Sequence, residues 1–377
     1  MSTPINIAFV DLKAQQERLK SQIDERMARV FEHGQYIMGP EVAEFEAALA
    51  SFAGAQDSVS VANGTDALQI ALMAEDVGPG DAVFLPSFTF TATAEVVLLR
   101  GAEPVFCEVN GRTFNIDPAD LRDKANSVQK EGRLRPRAVV AVDLFGLPAD
   151  YEALAQVCWS KDMFLLADAA QSFGALLGKS RVGTLAPVTA TSFFPAKPLG
   201  CYGDGGALIT DHPDRAAQFR SIRAHGKGQE KYDIDRIGLN SRLDTLQAAI
   251  LLAKISIFED ELESRNRVAA KYSECLADIV TTPCVNDTAQ SAWAQYAIQL
   301  DNRDAVAAYL KDNGVPTAIY YPKPMHLQTA YFGYGDGENS LPVSEGLSKR
   351  ILCLPMHPYL EESTIENICS LIRTVSS

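Results

Sequence analysis

The lysine at position 197 stands in a setting that is unusual for a solvated side chain. It lies in the run FFPAKPLGCYGDGG, between two prolines and beside aromatic and glycine residues. A lysine that is partly removed from water has a lowered pKa and becomes an amine nucleophile suited to Schiff-base chemistry. The glycines that follow let the backbone approach a ligand or another chain closely. The alternative interpretation is a surface lysine in a turn.

A carboxylate at position 168 ends an apolar segment. Asp168 follows the run FLLA and precedes AAQS, and neither run contains a Lys or Arg. Ligands of open α/β sheets bind at the carboxyl ends of the strands, where such a carboxylate could hold a cationic ring nitrogen. The alternative is that Asp168 caps the N-terminus of a helix.

Two further turns suit contact with an anion. The first is Asn63-Gly64-Thr65-Asp66, a small-residue turn at a helix start, which points free backbone N–H groups outwards and adds the Thr65 hydroxyl. The second is residues 238–244, where Asn240, Ser241 and Arg242 precede a long apolar pattern. Each turn has an alternative interpretation as helix capping, by Thr65 or Asp66 in the first and by Asn240 or Ser241 in the second.

The elements that must position these residues alternate between strands and helices. Short apolar runs predict strands at 58–62, 81–86, 103–107, 138–143, 163–167 and 293–300. Helical periodicity predicts helices at 11–33, 40–52, 67–74, 91–100, 242–272 and 303–313, and the polar, basic segment 124–136 is predicted to be a surface loop. Strands that are apolar on both faces and alternate with helices predict an α/β fold with a mainly parallel central sheet. We expect a large domain at 1–250 and a smaller C-terminal α/β domain at 251–377.

Composition narrows the class of protein. The 377 residues are 47% hydrophobic and 22% charged, which excludes a disordered chain. The formal net charge of −14 argues against nucleic acid as a partner, although an acidic chain can still hold an anionic small molecule in a local pocket.

The cysteine pattern and the apolar runs bear on location. Seven cysteines without a CxxC pair or a Cys/His cluster predict reduced thiols of a cytoplasmic protein and no metal site. No apolar stretch of about 18 residues occurs, so no membrane span or membrane partner is expected. The N-terminal residues show no signal-peptide pattern.

Eight runs, in the same order along the chain, resemble one family, the DegT/DnrJ/EryC1/StrS nucleotide-sugar aminotransferases. These enzymes use pyridoxal 5'-phosphate (PLP) and have the aspartate-aminotransferase-like fold, PLP-dependent transferase fold type I. The matching runs are NGTDAL (63–68), PSFTFTATAE (86–95), DAAQSFGA (168–175), SFFPAKPLGCYGDGGA (192–207), RAHG (223–226), GLNSRLDTLQAAIL (238–251), YYPKPMH (320–326) and LPMHPYL (354–360).

The resemblance implies roles for three residues around the cofactor ring. Lys197 would form the Schiff base with PLP and later move a proton between the substrate carbon and the cofactor. Asp168 would pair with the ring nitrogen and keep it protonated, so that the ring acts as an electron sink. Gln171 would lie by the phenolic oxygen of the ring.

The resemblance also implies contacts to the phosphate and the ring face. Phe90 would stack on the ring, with Phe88 as the alternative. Asn240 would reach the phosphate from the neighbouring subunit, which implies a homodimer with shared active sites. The residues implied to bind the phosphate from the same subunit are Gly64, Thr65 and Ser192.

Substrate contacts implied by the resemblance are Arg242, Tyr321 and His326. The alternative for Arg242 is an ion pair with an acidic side chain such as Asp244. The remaining histidines of the matching runs, His225 and His357, are expected to be structural.

Lys197 separates two reactions found among such enzymes. Related enzymes that remove a sugar hydroxyl have histidine at this position, and histidine cannot form a Schiff base, so a transaminase is expected. The expected amino donor is glutamate, and the expected acceptor is a keto-sugar nucleotide. The runs around Lys197 and Arg242 look most like the branch that aminates carbon 3 of UDP-2-acetamido-2-deoxy-3-oxo-glucuronate for O-antigen (lipopolysaccharide) or capsule polysaccharide synthesis. In that reading Arg242 would face the sugar carboxylate, to which a bidentate contact is suited.

Three alternatives remain open at this point. A 4-keto-6-deoxy nucleotide-sugar aminotransferase of the same family is the first. The second is a non-catalytic sensor or structural protein on the PLP fold. The third, a nicotinamide-dependent oxidoreductase, is disfavoured because no GxGxxG follows the first strand.

Overall fold

The computed structural model describes residues 7–230 and 232–376. A seven-stranded sheet forms its centre, with the strand order β1-β9-β8-β5-β4-β2-β3. Adjacent strands among β8, β5, β4, β2 and β3 run parallel, and β9 runs antiparallel to both of its neighbours. The prediction of an α/β fold with a mainly parallel sheet is therefore confirmed.

The strands of this sheet are short and almost wholly buried. Their bounds are β1 Asp57–Val61, β2 Asp81–Pro86, β3 Glu103–Cys107, β4 Arg135–Val142, β5 Phe164–Asp168, β8 Val188–Ser192 and β9 Gly206–Thr210. Successive side chains point to opposite faces, so Val83 and Leu85 of β2 pack in one core and Ala82 and Phe84 in another. This placement explains why the strands are apolar on both faces.

Helices cover both faces of the sheet. The bounds of the helices up to residue 222 are α1 Leu12–His33, α2 Pro40–Ala53, α3 Gly64–Ala74, α4 Ala92–Leu99, α5 Pro118–Glu131, α6 Tyr151–Ser160 and α7 Pro213–Ile222. Residues of α3, α4 and α7 share a core with one face, and residues of α5 and α6 share a core with the other.

The C-terminal part has its own small sheet and core. There β11 (Tyr296–Gln299) pairs antiparallel with β12 (Ile351–Leu354). The other elements of the second half of the chain are α8 Thr245–Ile255, α9 Phe258–Leu276, α10 Arg303–Asp312, α11 Pro342–Arg350 and α12 Glu362–Ser376, and three short strands lie at β6 Leu176–Leu177, β7 Ser180–Arg181 and β10 Ala289–Gln290. The core of this region also includes Ile7, so N-terminal residues pack with the C-terminal elements. The division at residue 250 stays a prediction.

Two predicted elements are wrong. Residues 124–131 of the expected surface loop form the second half of α5. This helix is capped by Asp117, begins with Pro118, buries Leu121 and Ala125, and ends at Gly132 in the left-handed conformation. Its other side chains are mostly polar or charged, which concealed the apolar spacing.

The single long helix expected over 242–272 is two helices. α8 ends at Ile255, and the Ser256 hydroxyl donates to the carbonyl of Ala253. α9 begins at Phe258, and its first turn carries three acidic residues, which stabilise a helix N-terminus electrostatically. Apolar spacing continues through the break, so periodicity alone could not locate it.

All seven cysteines are free thiols, and five of them are buried. Within residues 7–230 and 232–376, no helix combines the length and the apolar character needed to cross a bilayer.

Candidate active site

The candidate site lies at the carboxyl edge of the parallel strands. Asp168 is the last residue of β5, and Ser192 is the last residue of the neighbouring β8. The turn that carries Lys197 follows β8, and the turn before α3 follows β1. The sheet topology thus gathers side chains that are far apart in sequence along one edge.

Asp168 is buried and accepts two hydrogen bonds. Its Oδ2 accepts from the Thr93 hydroxyl at 3.0 Å, and its Oδ1 accepts from the amide of Ala170 at 3.2 Å. Burial raises the pKa of Asp168, while these donors and the charge of Lys197 lower it. A turn and not a helix follows Asp168, so the capping alternative is wrong. A cationic ring nitrogen would supply the close opposite charge that this buried carboxylate needs.

Lys197 lies in a tight turn after β8, where its amide donates to the carbonyl of Phe194 at 2.8 Å. Burial lowers the pKa of Lys197, and the charge of Asp168 raises it. The amine is therefore partly desolvated and within electrostatic reach of Asp168. This environment suits a neutral amine nucleophile better than a solvated surface lysine.

Gln171 is fixed by two hydrogen bonds. Its Oε1 accepts from the amide of Phe145 at 2.7 Å, and its Nε2 donates to the hydroxyl of Tyr321 at 3.3 Å. Burial raises the pKa of Tyr321, so this hydroxyl stays protonated. The predicted residues Gln171 and Tyr321 are therefore brought together.

The two phenylalanine candidates occupy different environments. Phe90 is 54% exposed, with its ring centroid 6.3 Å from that of Tyr321. Phe88 is fully buried and packs edge-on against Phe145 and Tyr321. Only the Phe90 ring therefore has an open face for a planar ligand, and its stacking role stays a prediction.

The turn before α3 has the form of an anion cradle. α3 begins at Gly64, and its cap is Asn63, whose side chain accepts from the amide of Asp66 at 2.7 Å. The expectation of a cap by Thr65 or Asp66 is wrong because Asn63 already fills that position. The amides of Gly64 and Thr65 belong to the first turn and have no acceptor within the helix.

Ser192 closes this cradle from β8. A Cβ on Gly64 would lie 2.7 Å from the Cβ of Ser192, so only glycine permits this approach. The Ser192 hydroxyl thus stands beside the free amides of the helix start. Predicted phosphate ligands from two strands therefore meet at one place.

Asn240 and Arg242 lie on an extended segment before α8. Arg242 Nη2 donates to Asn240 Oδ1 at 2.5 Å, and Asn240 is exposed. The Ser241 hydroxyl accepts from the amide of Ala62 at 3.1 Å, which holds the segment against the end of β1.

The alternatives for this segment are not supported. α8 begins at Thr245 after Asp244, and neither Asn240 nor Ser241 caps it. The amide of Thr245 donates instead to the carbonyl of Tyr36. Among the described residues, Arg242 bonds to Asn240 rather than pairing with Asp244.

His326 lies in a buried hydrogen-bonded chain. Its Nδ1 lies 2.6 Å from the Ser87 hydroxyl, and its Nε2 lies 3.3 Å from Glu345. Burial lowers the pKa of His326. Ser87 is fully buried, so this chain joins elements and does not present a nucleophile. A direct contact of His326 with substrate would require one of these bonds to be exchanged, and that role stays a prediction.

The two other histidines of the matching runs contrast in burial. His225 is exposed, with a positive φ of 67°, and its amide donates to the carbonyl of Leu239 at 2.8 Å. His357 is buried, and burial lowers its pKa to about 4.

Two residues at the site were not predicted. Thr93 lies in the matching run 86–95, but nothing in the sequence indicated that it faces Asp168. Asp143 directly follows β4 and is fully buried. Burial and the charge of Asp168 raise its pKa to about 7, against the effect of its hydrogen bonds. Its place after an apolar strand, like that of Asp168, was a usable signal.

Comparison with known proteins agrees with this geometry. Residues 17–373 match the DegT/DnrJ/EryC1/StrS aminotransferase family, and the chain belongs to this family of sugar aminotransferases. The chain is 47% identical to the UDP-2-acetamido-2-deoxy-3-oxo-D-glucuronate aminotransferase of Pseudomonas aeruginosa, over 97% of this chain and 99% of that protein.

Solved structures give the same assignment. A family aminotransferase from Brucella abortus superimposes with a TM-score of 0.97 at 49% identity, covering 98% of this chain and 100% of that one. DesV from S. venezuelae, solved with a ketimine intermediate, superimposes with a TM-score of 0.93 at 35% identity, covering 100% and 99%. The fold is that of PLP-dependent aminotransferases, and the oxidoreductase alternative is wrong.

The family is PLP-dependent, and the residues present fit the cofactor. The site offers an amine of lowered pKa, a buried carboxylate at the end of β5, and a glycine cradle that a Cβ would fill. These features match the aldehyde, the ring nitrogen and the phosphate of PLP.

Proposed function

We propose that this enzyme moves the amino group of glutamate to carbon 3 of UDP-2-acetamido-2-deoxy-3-oxo-glucuronate. The observation that carries the proposal is that the turn after β8 places a half-buried Lys197 within electrostatic reach of the buried Asp168, at the carboxyl edge of the sheet. The substrate is inferred from similarity to the Pseudomonas aeruginosa aminotransferase, which is 47% identical to this chain.

Each residue of the site has a defined task in this proposal. PLP supplies the electron sink of the reaction when it is bound. Lys197 would hold the cofactor aldehyde, and its Nζ would carry a proton to and from the substrate carbon. Asp168 would keep a proton on the ring nitrogen, and Thr93 orients the Asp168 carboxylate through its 3.0 Å hydrogen bond.

The phosphate and the ring face are held by other groups. The amides of Gly64 and Thr65 and the hydroxyl of Ser192 would bind the phosphate, since the start of α3 favours negative charge. Phe90 would cover one face of the ring, and Gln171 would donate to its phenolic oxygen. Both side chains contact Tyr321, which would fix their relative orientation.

Arg242 is proposed to recognise the sugar carboxylate. Its guanidinium is held by Asn240 and keeps further N–H groups for a bidentate contact. We expect Arg242→Ala to raise KM for the 3-oxo-glucuronate about tenfold or more, with a much smaller change for a neutral 3-oxo sugar nucleotide. Equal changes for both sugars would remove Arg242 from carboxylate recognition.

The substrate test is a panel assay. The holoenzyme is given glutamate and one of several keto-sugar nucleotides, and the 2-oxoglutarate released is measured. The proposal expects turnover with the 3-oxo-glucuronate above all others. Preference for a 4-keto-6-deoxy sugar would favour the first alternative, and bound PLP without any turnover would favour a sensor.

A homodimer with shared sites is part of the proposal. A single chain exposes apolar side chains on two segments, and the first of them is tied to the start of α8 by the bridge between Ile37 and Asp244. The exposed residues are Tyr36, Ile37, Met38, Ile234 and Ile237. Asn240 stands exposed beside them, and we propose that it reaches the phosphate in the partner's site.

Subunit mixing tests this arrangement. We expect Lys197→Ala and Asn240→Ala chains to be weakly active alone, because the first lacks the nucleophile and the second lacks a proposed ligand of the phosphate. If sites are shared, mixed dimers contain one intact site, and an equal mixture recovers roughly a quarter of wild-type activity. Absence of recovery after confirmed mixing would contradict the shared site.

We further propose a cytoplasmic location and a role in the synthesis of surface polysaccharide such as O-antigen. Seven free thiols suit a reducing compartment. Loss of a 2,3-diamino-uronate from the surface polysaccharide of a deletion strain would test the role.

A further inference from the structure

Asp143 stands directly after β4, beside the end of β5. Val142 pairs in register with Asp168, and the amide of Asp143 donates to the carbonyl of Asp168 at 3.1 Å. The Asp143 side chain is fully buried behind this strand end. A buried carboxylate is costly unless its hydrogen bonds organise something.

Three donors converge on this carboxylate. Oδ1 accepts from the amide of Ala149 and the hydroxyl of Tyr151, both at 2.8 Å, and Oδ2 accepts from the Ser172 hydroxyl at 2.6 Å. The first two donors follow the turn after β4, and the third lies in the turn after β5. Asp143 therefore ties the two turns together.

Gln171 lies in the turn after β5, and its side chain reaches the turn after β4. It directly precedes Ser172, and its Oε1 accepts from the amide of Phe145 at 2.7 Å. Phe145 has a φ of 60°, a left-handed conformation that an aromatic residue rarely adopts and that its surroundings must hold. Two hydrogen bonds thus link the turns, from Ser172 to Asp143 and from Phe145 to Gln171. The chain joins the residues within each turn, so the links form a closed ring.

We propose that Asp143 is a positioning residue that fixes the side-chain amide of Gln171 toward the cofactor ring through Ser172 and the Phe145 turn. The inference rests on the proposed function in one respect, that Gln171 faces the phenolic oxygen of PLP. Asp143 itself does not contact the cofactor.

The test measures the bound cofactor and not turnover. The visible absorption band of the PLP Schiff base is titrated with pH in the wild-type holoenzyme and in Gln171→Ala, Asp143→Ala and the double variant. We expect each single variant to move the midpoint in the same direction by about half a pH unit or more, the effect of one lost hydrogen bond. The double variant should move no further than Gln171→Ala alone, because Asp143 acts through Gln171.

Two conservative variants keep the test decisive if Asp143→Ala does not fold. Asp143→Asn retains an acceptor for Ala149 and Tyr151 and should shift the midpoint less than Asp143→Ala. Ser172→Ala removes only the link next to Gln171 and should shift it in the same direction. The matched control is Asp150→Asn, an exposed carboxylate that caps α6, which should leave the midpoint unchanged.

Three results would overturn the inference. They are a wild-type midpoint in both Asp143→Asn and Ser172→Ala, shifts that simply add in the double variant, and an equal shift in Asp150→Asn. A holoenzyme that binds PLP but does not react with glutamate would defeat the proposed function alone, since the titration needs no amino donor.

Discussion

We call the buried part of the candidate site, with Asp168, Gln171, Ser192 and Lys197, the floor, and two exposed segments, residues 36–38 and 232–240, the wall. The two regions differ in how completely a single chain holds their side chains. On the floor, Asp168, Gln171 and Ser192 are fixed by hydrogen bonds or by close packing within the chain. Most side chains of the wall, residues 36–38 and 232–240, are exposed instead, both apolar ones such as Ile237 and polar ones such as Asn240. In the proposed dimer, one chain would hold the ring of the cofactor, and the wall of a second copy would complete the site.

The largest expected effect is the loss of transamination activity when Lys197, on the floor, is replaced. Lys197→Ala should lower transamination by about 10³-fold or more, because both the nucleophile and the proton-transferring group are lost. Thermal unfolding should stay close to that of the wild type. The matched control is Lys179→Ala, an exposed lysine in the β6–β7 turn, which should retain full activity. Full activity in Lys197→Ala would remove this residue from the mechanism.

The pH dependence of the free energy of unfolding tests the burial of His357, and this test does not depend on the wall. The pKa of His357 in the folded chain is about 4, below its unfolded value of about 6.5, so the unfolded state binds more protons between these pH values. This contribution to the free energy of unfolding is present above about pH 6.5. It is lost as the pH falls toward 4, by up to about 3 kcal/mol.

Urea unfolding at several pH values measures this loss. His357→Gln should show a flatter dependence between pH 6.5 and 4 than the wild type. His225→Asn, at an exposed position whose positive φ asparagine tolerates, serves as the control and should keep the wild-type slope. Parallel slopes for wild type and His357→Gln would contradict the assignment.

A charge on the wall should weaken self-association without unfolding the chain. Ile237 is 84% exposed, so Ile237→Asp should raise the dimer dissociation constant about tenfold or more if partner contact buries this side chain. Analytical ultracentrifugation gives the constant. Trp159→Asp, on an exposed position of α6 away from the wall, should leave it unchanged. An unaltered constant for Ile237→Asp would separate the wall from the dimer interface.

The smallest expected effect distinguishes Phe90 from Phe88 as the residue that stacks on the cofactor ring. Phe90→Leu should weaken PLP binding by roughly fivefold, since an aromatic stacking contact is worth about 1 kcal/mol. Phe88→Leu should instead lower the free energy of unfolding by about 1 kcal/mol, because Phe88 is buried. Cofactor titration and chemical denaturation of both variants measure the two quantities, and the reverse pattern would assign the stacking role to Phe88.

The sequence sufficed where local patterns and spatial structure agree. Apolar runs located five strands of the large sheet, β1 to β5, but not β8 and β9. The run around Lys197 indicated a desolvated amine. Asp168 was found because it ends an apolar strand, and the topology then placed it beside β8 and its following turn.

The sequence failed where distant contacts decide the outcome. The burial of His326 depends on Ser87 and Glu345, which are remote from it in sequence. The cap of α3 by Asn63 was missed because two neighbours have similar capping ability. Asp143 gave the same strand-end signal as Asp168, but its link to Gln171 exists only in three dimensions.

Reduction of the holoenzyme with borohydride, followed by peptide mass analysis, tests the central claim most directly. The account predicts a single pyridoxyl group on the Nζ of Lys197. A pyridoxyl group on another lysine, or on none, would contradict it.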